Sequence, residues 1–421
     1  MTHPIRPRER DAIVASLRAG VVPRVGQQHI QVGRGAEVQA AVRDVDRIAD
    51  GGAGCRFVIG EYGSGKTFFL HLVRSIGLER RLVTVHADLS PERRLHAGSG
   101  QARGLYAELM ANMATRARPD GGALATVVER FVTGALGDGG DPAEAIRSRL
   151  AALTELAGGY DFATVIGAYW RGYDSGDERV RADAVRWLRG EFTSRVDARA
   201  ALGVRTIVDD STFYDHLRLM ARFVRLAGFN GLLVCLDEMV NLYKIIGSAA
   251  RNANYEQVLR IVNDTTQGGT AHLGFLFGGT PEFLLDPRRG LFSYPALASR
   301  LAPNRFAGAD RADHSGPVLR LGNLTPEDIF VLLTKLRHVF AAGDPARYLV
   351  PDEALTAYMA HCSARLGDAY FRTPRETIRG FLDLLAMLEQ HPGLHWSELL
   401  GQLDLGPDVR AEDDELTSFR L

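Results

Sequence analysis

The chain has 421 residues, of which 46% are hydrophobic and 24% are charged, a composition typical of folded globular protein with two or three domains. The formal net charge of −1 excludes a global field that would attract nucleic acid or an anionic membrane, so such contacts would need a local patch. Three widely spaced cysteines lack metal-ligand or redox-motif spacing, and no apolar run is long enough to span a membrane. We therefore expect a cytoplasmic protein with reduced thiols.

The first predicted helix covers residues 37–49, where apolar residues recur at the spacing of one helix face. A glycine-rich turn at 51–54 follows and leads into the apolar run 57–59, which predicts a buried strand. This order of helix, turn and strand is typical of an α/β fold.

The strongest signal is a phosphate-binding loop directly after that strand. Residues 60–67 match G-x-x-x-x-G-K-T, and they are Gly60, Glu61, Tyr62, Gly63, Ser64, Gly65, Lys66 and Thr67. The glycines allow positive φ, so that successive N–H groups can converge on a phosphate at the start of a helix predicted from Phe68 to residue 76. Lys66 would reach the β- and γ-phosphates, and Thr67 would bind Mg²⁺.

A second strand is predicted at 82–85 and ends in His86 and Asp88, which could contact the nucleotide or cap the next loop. About 150 residues then separate it from the next strand, far more than a crossover helix needs. Helical spacing recurs in this interval at 103–116, 122–137, 143–157, 160–172 and 178–196. We therefore predict an all-helical insertion.

Aromatic and basic residues are interleaved in the predicted insertion. Tyr169, Trp170 and Trp187 have arginines close by in the sequence, so they could stack on bases while the arginines neutralise phosphates. Their helical intervals equally fit a hydrophobic core. The core interpretation is the simpler one, because acidic residues dilute the positive charge.

After a helix predicted at 212–226, a buried strand is predicted at 231–236, and it ends in two adjacent carboxylates. Asp237 would bind Mg²⁺ through its water shell, and Glu238 would polarise the attacking water. Because kinases position an acceptor group and need no such glutamate, this pair favours ATP hydrolysis over phosphoryl transfer. The alternative is an acidic strand end that faces solvent.

Thr280 follows a strand predicted at 273–277 and could sense the γ-phosphate, although Thr followed by Pro also fits the start of a helix. Arg300 precedes the last predicted strand, at 318–321. In an oligomer, Arg300 could reach the γ-phosphate of a neighbouring subunit as an arginine finger, with Arg305 as the substitute. A surface cation is the alternative role.

The C-terminal part is predicted to be helical at 325–339, 352–362 and 377–390, and it is followed by an acidic tail. The order of phosphate loop, Asp-Glu strand, Thr-ended strand, arginine and helices resembles AAA+ ATPases of the Orc1/Cdc6-like and STAND-like branches over residues 20–390. The stretches 57–70, 83–95 and 372–376 look like those of the ATP-binding proteins of bacterial BREX phage-defence loci.

This resemblance implies an α/β fold: a P-loop NTPase sheet of the AAA+/ASCE type, parallel and flanked by helices, with a helical insertion and a C-terminal helical lid. It also implies that Val25 and Ile30 pack on adenine, whereas an ordinary loop is the alternative there. In the lid, Arg375 would contact the γ-phosphate, with Arg372 or Arg379 as alternatives, or would be a surface cation. Because about 30 residues follow residue 390, we do not expect the winged-helix domain of initiators.

The resemblance implies an ATPase that uses ATP and Mg²⁺ and acts with other defence proteins, with DNA and a second copy of the chain as further candidate partners and no membrane. The alternative function is a nucleotide-gated switch or loader with little intrinsic hydrolysis. The predicted segments are an N-terminal segment 1–36, ATPase core 37–102, helical insertion 103–205, ATPase core 206–323, helical lid 324–392 and a flexible acidic tail 393–421.

Overall fold

A computed structural model describes residues 4–137, 141–308, 311–366 and 374–402. The strands are β1 Ala53–Gly60, β2 Val83–Asp88, β3 Leu232–Asp237, β4 Leu273–Gly279 and β5 Val318–Leu321. All five lie where apolar runs predict them, and helices fill the intervals, so the α/β class is confirmed. None of the helices in these ranges is long and apolar enough to cross a membrane.

The helices before the third strand are α1 Pro7–Arg18, α2 Gly35–Ala49, α3 Lys66–Glu79, α4 Gln101–Ala111, α5 Leu124–Leu136, α6 Pro142–Leu150, α7 Gly159–Ser175, α8 Glu178–Leu188, α9 Arg195–Leu202 and α10 Phe213–Leu226. The later helices are α11 Val240–Tyr243, α12 Ser248–Thr266, α13 Pro281–Leu285, α14 Pro295–Arg300, α15 Pro326–Phe340, α16 Asp352–Leu366, α17 Pro374–Gln390 and α18 Trp396–Gln402. The acidic part of the tail, Arg372 and Thr373 lie outside the described residues.

The sheet has the strand order β2-β3-β4-β1-β5, and the pairs β2–β3, β3–β4 and β4–β1 are parallel. Ile59 pairs with Gly279, Leu236 with Phe277, and Asp88 with Asp237. The carboxyl ends of these four strands therefore lie at one edge of the sheet, where open α/β sheets bind ligands.

The chain forms two compact units. The sheet unit contains the described residues within 36–59 and 73–320, and the loop unit contains those within 1–35, 60–72 and 321–421. In the sheet unit, one hydrophobic cluster joins the strands to the helices between β2 and β3. In the loop unit, a second cluster joins α1, the segment around Ile30, α15, α16 and α17.

One predicted helix of the insertion is wrong in its extent. The sequence pattern predicts a helix through 178–196, but α8 ends at Leu188 and α9 begins at Arg195. Gly190 adopts a left-handed φ of 70°, which ends the first helix, and the Ser194 side chain accepts a hydrogen bond from Asp197 N to cap the second. The two helices are therefore separate elements.

Candidate functional site

The phosphate loop has the backbone that its glycines predict. Gly63 and Gly65 have φ of 78° and 84°, a conformation that strains any residue with a Cβ. Lys66 is the first residue of α3, and its Nζ donates hydrogen bonds to the carbonyl oxygens of Gly60 and Glu61, both at 2.9 Å. The lysine ammonium therefore lies against its own loop at the start of a helix, where the helix dipole favours an anion.

Gly60 lies where the loop backbone packs tightly. A Cβ at this position would overlap Ser64 Oγ and lie 2.9 Å from the carbonyl oxygen of Leu321. The Ser64 hydroxyl is buried and has no hydrogen-bond partner among the described residues. This loop is suited to bind a phosphate group. Its glycines pack tightly, its buried hydroxyl lacks a partner among the described residues, and a lysine stands at its end.

Arg34 contacts the phosphate loop, a role that the sequence interpretation did not give to this residue. It adopts a left-handed φ of 59°, and its guanidinium donates hydrogen bonds to the carbonyl oxygens of Ser64 and, at 3.0 Å, Gly322. The preceding Gly33 packs so closely on the Asp328 carboxylate that a Cβ would lie 2.8 Å from Asp328 Oδ1. The Gly33-Arg34 pair was the available signal, since glycine commonly marks a close backbone approach. Arg34 thus fixes the phosphate loop to the chain that leaves β5.

The two residues expected at adenine have different surroundings. Ile30 is 4% exposed and belongs to the hydrophobic cluster of the loop unit, whereas Val25 is half-buried. Phe68 packs against the same cluster. Lys335 Nζ donates a hydrogen bond to the carbonyl oxygen of Gln31, which fixes the backbone beside Ile30 to α15. Of the two side chains, Val25 is the more accessible to a ligand.

The carboxylates at the end of β3 lie in contrasting environments. Asp237 is buried, and its Oδ1 accepts a hydrogen bond from Glu238 N at 2.9 Å. Glu238 is exposed and has a left-handed φ of 55°. Burial and the nearby Asp237 carboxylate raise the pKa of Asp88 at the end of the neighbouring strand. The sheet edge therefore combines a fixed acidic group suited to a hydrated cation with an accessible carboxylate.

Thr280 follows β4, the strand that lies between β3 and β1. Its hydroxyl accepts a hydrogen bond from Phe283 N at 3.4 Å, and Pro281 is the first residue of α13. The capping interpretation is thus confirmed. The same residue also lies at the carboxyl edge of the sheet, so a sensing role stays a prediction.

Among the described residues, the arginine candidates Arg300, Arg305, Arg375 and Arg379 are exposed. Arg300 ends α14, and its guanidinium donates to Asn263 Oδ1 at 2.6 Å and to the carbonyl oxygen of Ala296 at 2.9 Å. Arg305 lies in the loop that follows. Arg375 lies in the first turn of α17, where its Cδ would be 3.3 Å from a Cβ at Gly20.

Tyr169, Trp170 and Trp187 form part of the core of the insertion, whereas Tyr173 is exposed. Tyr169 and Trp187 are each 1% exposed, and Trp170 is 8% exposed. Trp187 Nε1 donates a hydrogen bond to the carbonyl oxygen of Thr206, so its polar atom is satisfied internally. The core interpretation is confirmed, because these rings have no free face on which bases could stack.

Comparison with known proteins identifies the family. No curated protein gives a significant match to the chain. The family described as BREX system ATP-binding protein BrxC/D matches residues 5–404, which include the phosphate loop, Asp237 and Glu238. The chain therefore belongs to the BrxC/D family of BREX system ATP-binding proteins.

Proposed function

We propose that this protein hydrolyses ATP with Mg²⁺ as an AAA+-type ATPase of a BREX defence complex. Membership of an ATP-binding family supports ATP as the ligand. The positive-φ glycines of the phosphate loop support the binding of its phosphates there. In this proposal, residues 37–102 and 206–323 form the ATPase core, 103–205 the insertion and 324–392 the lid. Mg²⁺, held by Thr67 and Asp237, would neutralise phosphate charge.

The observation that carries hydrolysis is the contrast between two neighbouring carboxylates. Asp237 is buried and fixed by a backbone donor, whereas Glu238 is exposed at the same edge of the sheet. A cation ligand needs a fixed position, while a general base needs access to a water molecule. Glu238 would orient and polarise the attacking water, and Lys66 would stabilise charge that develops on the γ-phosphate.

Three further residues have proposed roles around the γ-phosphate. Thr280 would sense it from the end of β4, and Arg375 would contact it from the lid. Arg300 would act on the nucleotide of a second subunit, which requires its guanidinium to leave Asn263 and the carbonyl oxygen of Ala296. Because Arg300 is exposed at a helix end, a neighbouring copy could recruit it.

A BREX complex acts against phage, so we propose that ATP turnover here is linked to DNA and to other proteins of the system. The test is steady-state ATP hydrolysis by wild type and Glu238→Gln, with and without duplex or single-stranded DNA, together with the oligomer mass with ATP bound. Glu256→Gln is the matched control, because Glu256 is an exposed glutamate on α12 in the same unit.

We expect turnover that increases with DNA, disappears in Glu238→Gln and is unchanged in Glu256→Gln. Unchanged turnover in Glu238→Gln would refute the role of that residue. Tight ATP binding without turnover under any condition would instead indicate a nucleotide-gated switch that recruits partners.

A further inference from the structure

The segment that follows Glu238 is bound to the segment that follows Thr280 by the side chains of Tyr243 and Arg289. Tyr243 ends the four-residue helix α11, and its hydroxyl donates a hydrogen bond to Asp286 Oδ2 at 2.8 Å. Asp286 comes directly after α13, the short helix that Thr280 caps. The two candidate site residues therefore each precede a one-turn helix, and the two helices are joined at their far ends.

The Asp286 side of this contact is fixed by the backbone. Asp286 Oδ1 accepts hydrogen bonds from Arg288 N at 2.7 Å and Arg289 N at 3.2 Å. Gly290 N donates to the Asp286 carbonyl oxygen at 2.8 Å, and a Cβ at Gly290 would lie 2.9 Å from that oxygen. The turn 286–290 thus holds the carboxylate in one position.

The same turn holds Tyr243 in two further ways. The Arg289 guanidinium lies over the Tyr243 ring, 5.2 Å from its centroid, and donates to the Tyr243 carbonyl oxygen at 3.1 Å. Tyr255 on α12 donates to the Arg289 carbonyl oxygen at 2.6 Å and so positions the arginine. Hydrogen bonding to Asp286 raises the pKa of Tyr243, and the backbone donor of Arg288 lowers the pKa of Asp286. The contact is therefore a charge-assisted hydrogen bond from a neutral phenol to a carboxylate.

At the other end of α11, Glu238 has a conformation that needs support. A left-handed φ is unfavourable for a residue with a Cβ and persists only where neighbouring contacts impose it. Met239 N donates to the Gly278 carbonyl oxygen at 2.9 Å, and Asn241 Nδ2 donates to the Leu89 carbonyl oxygen at 2.8 Å. Tyr243 supplies a third contact, and together with the bond to Gly278 it links α11 to the residues on either side of Thr280.

We propose that the Tyr243–Asp286 hydrogen bond couples Thr280 to Glu238, so that the nucleotide state read at the end of β4 sets the position of the glutamate at the end of β3. Tyr243 and Asp286 are then positioning residues for the proposed hydrolysis, on which this inference rests. A change in the position of α13 moves Asp286, and the bonded Tyr243 transmits that change along the single turn of α11.

The test compares wild type with Tyr243→Phe, which removes only the hydroxyl. The matched control is Tyr169→Phe, because Tyr169 donates to Glu129 Oε1 at 3.1 Å and has the Arg181 guanidinium 5.7 Å from its ring centroid. Hydrogen exchange is measured with and without Mg²⁺ and a non-hydrolysable ATP analogue, and steady-state kinetics with ATP.

In wild type and Tyr169→Phe, we expect the analogue to change exchange in both 238–245 and 281–290. In Tyr243→Phe, the change should remain in 281–290 and weaken in 238–245, where the contacts from Arg289 and Gly278 persist. The kcat should fall about tenfold with KM within twofold, because reacting groups lose their alignment. Asp286→Asn retains an acceptor for the phenol and should keep most of the wild-type kcat. The same Asn change in the Tyr243→Phe background should cause no further loss.

Equal exchange responses in Tyr243→Phe and wild type, or no response in wild type, would overturn the coupling. A coupled exchange response together with Glu238→Gln turnover equal to wild type would leave the coupling in place and refute only the hydrolytic role of Glu238. If KM rose by as large a factor as kcat fell, the hydroxyl would have a structural role, and this result would also overturn the proposal.

Discussion

Replacing Gly60 by alanine tests whether nucleotide affinity depends on the tight packing of the phosphate loop. The added Cβ would lie 2.9 Å from the Leu321 carbonyl oxygen and would overlap Ser64 Oγ. The loop must therefore shift by about half an ångström or more, and overpacking of this kind costs about 1–3 kcal/mol. Since each 1.4 kcal/mol changes an equilibrium constant tenfold, the Kd for ATP should rise by roughly 5- to 150-fold.

The assay is equilibrium binding of a fluorescent ATP analogue, with the thermal unfolding midpoint measured on the same samples. Gly98→Ala is the control, because a Cβ there would meet nothing within 4 Å. Adding Ser64→Gly to the Gly60→Ala variant removes the hydroxyl contact but leaves the one with Leu321, so it should restore only part of the affinity. Wild-type affinity in Gly60→Ala would refute the packing argument.

Three further predictions follow from the described contacts. Arg34→Ala should weaken ATP binding about tenfold, because the Ser64 carbonyl oxygen loses a charged donor, whereas the exposed Arg24→Ala should not. Glu238→Gly should raise the unfolding midpoint relative to Glu238→Gln, since glycine relieves the left-handed strain; equal midpoints would refute this. Burial lowers the pKa of His216 below its ordinary 6.5, so its contribution to stability is full above pH 6.5 and is lost as pH falls below that value. His216→Phe should therefore make the unfolding midpoint less sensitive to pH between 7.5 and 5, and an unchanged pH profile would contradict the assignment.

The sheet and its loop could be predicted because their signals are local. Each strand contains a short apolar run, β3 and β4 lie in the interior of the sheet, and the phosphate loop combines glycines with lysine at fixed spacing. The strand order that brings the ends of β1, β3 and β4 to one edge involves pairings between residues far apart in sequence. Periodicity carries no information on such pairings.

The longest helices for which we recognised no sequence signal are α12 and α1. The helix α12 is polar along much of its length, and its buried side includes Arg251 and Asn254. Asn254 exchanges two hydrogen bonds with the backbone of His96, and Arg251 donates to the carbonyl oxygen of Ile245 at 2.7 Å. The Asn254 amide and Arg251 Nη1 can be buried because distant or irregular backbone pairs with them. The helix α1 begins among arginines, and of its residues Ile13 is the buried one, so its apolar face is narrow.

In the candidate site, the sequence likewise does not predict the conformation of single residues. The residue types mark Asp237 and Glu238 as candidate site residues, but they do not predict that Glu238 has a left-handed backbone. This conformation costs about 1–3 kcal/mol in a residue other than glycine. That cost must be offset by contacts which hold both ends of α11. Those contacts involve Gly278, Leu89 and Asp286, which come from three other segments of the sheet unit. In the proposed coupling, small movements of those segments would shift the glutamate, and this is the property that a nucleotide-dependent position requires.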